Sequence, residues 1–479
     1  MARHGSRVRE NPTSLSVPVV ATATLPVVFG TAPINLAETL ENVNKPVLAY
    51  SFGEYAKALG YSDDWKNYTL GEMADLAFRQ FNVGPVVFVN VLDPDKHKIN
   101  ENASLKVENK KGVIETEGIL LKSLEVLNND TELKSDKDYI ASFNEDGQVV
   151  IALLIDNVTT LEVKYDKLTP ESITNNHIIG GYDINTGKNT GLELLNTVFP
   201  KLSMVPGLVL APGFSKDPTV AAVMKAKASS INTYFKAQSL DDVNTLEANT
   251  YTKVNEWKNK NNYTGENEVV CWPLAGLGDK VYHLSTHIAC RIMKTAYENG
   301  DFPHESPSNK SLPMTKLLVK TKDGYDEVDL GPDQAELLNN QGITTALNFI
   351  GGWRAWGNYT GAYPANTDVK DIFTPVRITH NWLGNTIILT TWNKVDGPIG
   401  KRLRDNVLDT MSMWLNGLQG EGVLIGARVE FREEDNPITD LNSGIIRFRY
   451  YVAEPTPAQD IDNILEFDAN YYKTLFISD

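Results

Sequence analysis

The run Val86-Val87-Phe88-Val89-Asn90-Val91 sets the tightest bound on what this chain can fold into. It is nearly all apolar, mostly β-branched and not alternating, so it reads as a strand buried on both faces. Only a sheet covered by helices on both sides buries a strand that way. Val27 to Phe29 and Gly207-Leu208-Val209-Leu210-Ala211 have the same character, and a helical stretch through Met73, Leu76 and Ala77 lies between the first two runs. Buried runs alternating with helices predict an α/β core. At 479 residues the chain exceeds one domain, so the core is expected to share it with other units.

Residues 96–168 change character. Leu105-Lys106-Val107-Glu108 alternates, and Asn109–Gly112 and Asn144-Glu145-Asp146-Gly147 read as turns between short strands, which predicts a β-rich insert. The α/β pattern then returns with a helix carrying Val220, Val223, Met224, Ile231 and Phe235. A second helical stripe, Leu284, Ile288, Ile292 and Ala296, follows a loop from Trp272 to Gly278. Gly351-Gly352 opens a third region, with a strand at Ile387–Thr391 and a helix from about Pro398 to Leu418 whose ladder is Ile399, Leu403, Val407, Met411 and Leu415. The odd-numbered positions from Val423 through Ile425 and Val429 to Phe431 are all apolar or small, and Ile446, Phe448, Tyr450 and Val452 alternate with Arg447 and Arg449, so two half-buried strands are expected. The predicted fold is α/β (α+β multidomain). It comprises an N-terminal arm (1–20), an α/β core (21–95 and 169–350), a β-rich inserted domain (96–168), a C-terminal α/β domain (351–460) and a C-terminal arm (461–479).

Charge narrows the function classes. Lys plus Arg total 45 against 61 Asp plus Glu, a net charge of −16, so a surface that binds nucleic acid nonspecifically is not expected. The two cysteines, Cys271 and Cys290, are too few for a disulfide scaffold or a four-thiolate zinc site and point to a reducing compartment. The apolar stretch Ser16–Gly30 is broken by Pro18 and Pro26, unlike a signal-peptide core, and no apolar run reaches membrane-spanning length. No membrane insertion is expected.

Each chemical motif meets an obstacle. Gly276-Leu277-Gly278 begins like a dinucleotide loop, but Val281 stands where the third glycine belongs. His283 and His287 are four apart on a helix, yet two ligands leave a metal site incomplete, and they read as helix-surface histidines. Ser215 lacks the Gly-x-Ser-x-Gly elbow and reads as a loop serine, while the apolar setting of Cys271 would raise its pKa. No catalytic residue, cofactor or metal is predicted, and an α/β hydrolase is the remote alternative.

The two ends are unusual. The first is basic, with Arg3, Arg7 and Arg9, then alternates through Leu15, Val17 and Val19. The last is acidic, yet carries Ile461, Ile464, Phe467, Tyr471, Tyr472 and Leu475. Arms that cannot bury their own apolar side chains add strands to a sheet edge in another chain.

With those ends in view, the chain resembles the sheath proteins of contractile phage tails and of the related contractile bacteriocins. The resemblance rests on Val28-Phe29-Gly30-Thr31-Ala32-Pro33, Ala211-Pro212-Gly213, Trp272-Pro273, Ser306-Pro307-Ser308-Asn309-Lys310 and Leu337-Leu338-Asn339-Asn340-Gln341-Gly342-Ile343. Its most specific piece is Gly351-Gly352-Trp353-Arg354-Ala355-Trp356-Gly357-Asn358-Tyr359-Thr360, in which Tyr359 replaces the arginine common in that family. The resemblance implies a structural homo-oligomer and not an enzyme. It implies hexameric rings stacked helically around an inner tail tube protein, ending on baseplate and tail terminator proteins. Contraction would need no nucleotide hydrolysis. The particle would be a virion tail or a headless R-type bacteriocin, assembled in the host bacterial cytoplasm. The arm strands (Leu15, Val17, Val19, Phe467, Tyr471, Leu475) would then join a neighbour's sheet built on Val423, Ile425, Val429, Phe431, Ile446, Phe448 and Tyr450. Lys401, Arg402 and Arg404, basic residues at the positive end of their helix where the dipole does not favour them, are expected to face the tube.

Overall fold

The computed structural model describes residues 18–129, 131–184 and 187–476. Its centre is an eight-stranded sheet of β1 (Pro26–Gly30), β2 (Pro46–Ala49), β3 (Val86–Asn90), β4 (Leu208–Leu210), β5 (Gln238–Asp242), β6 (Glu268–Cys271), β7 (Ile343–Asn348) and β8 (Trp353–Trp356). The strand order is β2-β3-β1-β4-β5-β6-β7-β8. The inner strands are parallel, with β2 and β8 antiparallel at the edges. Every residue of β1, β3 and β4 is buried, as expected of apolar runs with helices on both faces. The Leu284 stripe forms helix α1 (Leu284–Glu298), which packs on this sheet through Leu284, Ile288, Ala289 and Ile292.

Gly351 and Gly352, both at positive φ, make the turn between the paired strands β7 and β8. The chain therefore passes this point without leaving the core sheet. Trp272–Gly278 is not a loop: Leu274–Leu277 pairs with Lys280–His283 in a hairpin that turns at Gly278. The apparent dinucleotide loop is thus a β-turn. The helix through Val220 ends at Ser229, and Ile231 and Phe235 close a separate turn through reciprocal main-chain hydrogen bonds. Their helical spacing is coincidental, because both side chains reach the core from that turn.

Between residues 98 and 168 the chain builds two small antiparallel sheets. One joins Lys98–Lys106, Thr160–Leu168, Glu125–Asn128 and Thr131–Leu133, and the other joins Lys111–Ile114, Val149–Leu153 and Tyr139–Phe143. They share a core of their own that includes Ile114, Val126, Val149, Ile151, Leu161 and Val163. Entry and exit lie side by side, where the Thr169 N–H donates to the His97 carbonyl at 3.0 Å.

The last region rests on two helices, α2 (Thr374–Trp392) and α3 (Lys401–Gly420), and a two-stranded sheet of β9 (Gly426–Glu430) and β10 (Arg449–Ala453). The strand expected at Ile387–Thr391 is the last turn and a half of α2. Its β-branched residues suggest a strand locally, but Trp382, Leu383, Thr386 and Thr390 form one buried helical face, and tertiary packing overrides the local preference. The Thr391 hydroxyl donates back to the Ile387 carbonyl at 2.7 Å, as threonines do inside helices. In α3, Val407, Met411, Leu415 and Leu418 are buried as the four-residue ladder requires, while Ile399 lies ahead of the helix and is partly exposed.

Candidate assembly site

The site is built from the open sheet of the C-terminal region and the two chain ends around it. After α3, Gly422 takes a φ of 77°, which an L side chain rarely adopts, and turns the chain so that Val423 and Leu424 enter the core. Ile425 then swings outward, 74% exposed, with its N–H on the Ala453 carbonyl at 2.8 Å. Within the strands the expected alternation holds. Ala427, Val429, Tyr450 and Val452 pack inward, while Arg428 and Arg449 point out and pair with Glu430 and Asp435. Ile425 and Val423 therefore do not share one strand face, because the strand starts only at Gly426.

The second strand also starts later than its alternation suggests. Ile446 and Phe448 precede β10 and do not belong to it. The cause is Asn436, 4% exposed, whose amide donates to the carbonyls of Arg432 (2.9 Å) and Arg447 (3.0 Å) and accepts the Arg447 N–H (2.7 Å). These are main-chain groups a strand would offer to a ladder, and the side chain takes them first. Phe448 instead contacts Phe431, with ring centroids 5.7 Å apart, and joins Ile446, Ile387, Leu403 and Val407 around a groove of about 630 Å³. Among the described residues the sheet has two strands, so the outer edge of each is unpaired there.

Both chain ends approach this region. Residues 18–21 run along α2 of their own chain. The Val19 N–H donates to the Thr390 hydroxyl (3.1 Å), the Ala21 N–H to the Thr386 hydroxyl (3.1 Å), and the Trp382 indole N–H to the Ala21 carbonyl (2.9 Å). Val19, read from sequence as part of an inter-subunit strand, is thus moored to its own helix. Leu15 and Val17 lie outside the described residues, as do Arg3, Arg7 and Arg9. At the other end, Glu454 pairs with His380 (2.9 Å), and the Tyr359 hydroxyl donates to Gln459 (2.7 Å). Tyr359 stacks flat on Tyr363, at 3.9 Å and 5°. An aromatic stack thus occupies the position where the sequence departs from arginine. Beyond Gln459, Ile461, Ile464, Leu465, Phe467, Tyr471, Tyr472 and Leu475 are all at least 61% exposed. Ala469–Phe476 forms short helical turns and not the strand expected there, and among the described residues no strand pairs with it.

The tube-facing candidates divide. Arg404 lies against Asp405 at 2.6 Å. Lys401 and Arg402 are exposed, and their side chains make no hydrogen bond or ion pair among the described residues.

The catalytic alternative can be tested against the geometry. Ser215 is buried and donates to Asp242 (3.3 Å), which also accepts from the Ser285 hydroxyl (2.6 Å). His283 faces Glu72 at 2.8 Å. Burial works against its charge, but the Glu72 carboxylate wins and its pKa is raised. His287 is fully buried and not a surface residue, so burial pulls its pKa down to about 4. Among the described residues no serine hydroxyl reaches an imidazole, so the proton relay of a serine hydrolase is not assembled. Nor does any group of His, Cys, Asp or Glu among them converge on a metal position. Burial pushes both cysteine thiols up, as the apolar setting of Cys271 suggests.

No family model matches the chain. It is 25% identical to the tail sheath protein of Burkholderia phage BcepMu over 489 aligned residues, which span 98% of each chain. It is 28% identical to the major tail sheath protein of Serratia phage KSP20 over 313 residues, 63% of this chain and 73% of that one. Its fold matches a chain of the contracted PVC sheath complex, an extracellular contractile injection system, with a TM-score of 0.55 at 14% identity, covering 98% of this chain and 99% of that one. A chain from the anti-feeding prophage baseplate matches equally well, with a TM-score of 0.55 at 15% identity and the same coverage. These relatives define a class of structural and not catalytic proteins, with a mixed α/β multidomain fold that this chain shares. Over nearly its whole length the chain is similar to the tail sheath proteins of contractile phages, and it shares its fold with the sheath-type chains of related injection systems.

Proposed function

We propose that the chain polymerises as hexameric rings stacked helically around an inner tail tube, and that the resulting sheath contracts to drive the tube through a target envelope. The observation that carries this reading is the pairing of two incomplete parts on one molecule. A two-stranded sheet leaves its outer edges free, and a terminal segment leaves its apolar side chains in solvent. An isolated two-stranded sheet is marginal in water, and added strands stabilise it. Burying Ile461, Ile464, Leu465 and Phe467 in a neighbour contributes about 1.5–3 kcal/mol for each side chain, enough to hold subunits together while contacts between their bodies change. Contraction on this reading draws on the energy difference between two lattices and requires no nucleotide hydrolysis. Lys401 and Arg402 face the tube, and baseplate and terminator proteins close the ends. The particle is a virion tail or a headless bacteriocin, assembled in the host bacterial cytoplasm.

Removing residues 461–479 tests the assembly claim. The full chain is expected to form long striated tubes in electron micrographs, and the shortened chain is expected to stay monomeric with an unchanged circular dichroism spectrum. Tubes of the same length from the shortened chain would show that body contacts alone build the lattice.

A further inference from the structure

The carboxyl ends of β1, β4 and β5 border a cavity of about 360 Å³ that the assembly reading does not use. The strand order reverses between β1 and β4, where open α/β sheets leave a crevice. Thr31 enters it after β1, Gly213 and Lys216 after β4, and Asn244 and Thr245 after β5.

Its charge is unusual for this chain. Lys66, Lys216 and Lys320 line the cavity, all three exposed, and among the described residues none makes a hydrogen bond or ion pair through its ammonium. Two of the acids in the wall are already engaged. Glu72 takes the ring and the main-chain N–H of His283, and Asp242 takes the hydroxyl and the main-chain N–H of Ser285. Glu171 is the remaining carboxylate in the wall. Desolvation of its ammonium inside the crevice, and then the nearby Lys320 ammonium, hold Lys216 below the usual lysine range, while burial pushes the Asp242 carboxyl up. A molecule with a net charge of −16 thus gathers unneutralised cations around one crevice. Such a crevice concentrates anions. Trp65, Phe214 and Tyr325 add flat apolar faces beside the lysines, and convergent polar groups on an apolar wall are the usual make-up of a small-molecule site.

We propose that this crevice binds a small anionic molecule through a phosphate or carboxylate group, held by Lys216 and Lys320 with Lys66 at the mouth. The site is independent of polymerisation, so its failure would leave the assembly reading untouched. The test is calorimetric titration of the full chain at low salt, with inorganic phosphate in one arm and citrate in the other. One saturable site is expected for at least one anion, with a Kd of about 1 mM or tighter. The Lys216→Ala/Lys320→Ala variant is expected to bind about tenfold more weakly at an unchanged melting temperature, and Lys66→Ala to bind less weakly than the double variant but below the parent. The Lys106→Ala/Lys164→Ala variant, altered on exposed strand positions of the insert, serves as the control and is expected to match the parent. If neither anion shows saturable binding, or the Lys216/Lys320 variant binds as the parent does, the site does not exist.

Discussion

At the scale of single residues, His287 carries the clearest consequence. Its ring is fully buried, its Nδ1 has no partner, and its pKa falls from 6.5 to about 4. Between those values the unfolded chain binds a proton that the folded chain refuses. Stability from this residue is therefore complete above pH 6.5 and declines as the pH falls toward 4, by at most about 3 kcal/mol. His283 acts in the opposite sense. Its raised pKa contributes stability below its ordinary value, and that contribution fades as the pH rises through the folded one. Replacing His287 by Gln is expected to flatten the acid limb of a urea-midpoint profile between pH 6.5 and 4, with little change at pH 7.5. An acid limb as steep as the parent's would show that other groups set it. Single residues were only partly legible in the sequence. The buried thiol of Cys271 follows from its apolar neighbours, which are adjacent in the chain. The burial of His287 arises from Phe81, Tyr282 and Pro313, two of which are remote in sequence, so helical spacing alone suggests a surface position.

At the scale of elements, Asn436 decides where β10 begins. Truncating it takes three hydrogen bonds from the Arg447 N–H and two carbonyls in a half-buried site that water can partly enter, at a cost of about 1–2 kcal/mol. Asn436→Ala is expected to shift the urea midpoint accordingly, and Asn436→Asp to recover only part, since a carboxylate keeps the bond from Arg447 but donates none. A change below about 0.5 kcal/mol would mean that the 445–448 segment is held by the ladder instead. The elements legible in advance were those whose pattern and packing agree, namely the apolar runs of β1, β3 and β4, the Leu284 stripe of α1 and the ladder of α3. Those misread were settled by partners far along the chain. Thr386 and Thr390 look like strand residues until the main chain of Ala21 and Val19 is laid against them. Their four-residue spacing was the one available clue to a helical face.

At the scale of the whole molecule, the tube reading makes its own prediction. Reversing Lys401 and Arg402 to glutamate is expected to impair assembly around the tube while sparing tube-free polymers, because both are exposed and hold nothing in their own subunit. Normal extended tails from that variant would remove the tube role and leave these residues as a solvated helix face. The short strands of the insert were legible from their alternation, whereas the pairing of β7 with β8 across Gly351 and Gly352 was not, because two glycines look alike at a hairpin turn and at a linker. Helix α2 also has a mechanical consequence. Thr386 and Thr390 moor the segment entering the molecule, and His380, on the same helix, moors the segment leaving it through Glu454. Tension applied to either end therefore converges on one rod and passes from end to end through it. The insert keeps a core of its own and carries none of these mooring bonds, so a pull on either end reaches α2 before it reaches that core.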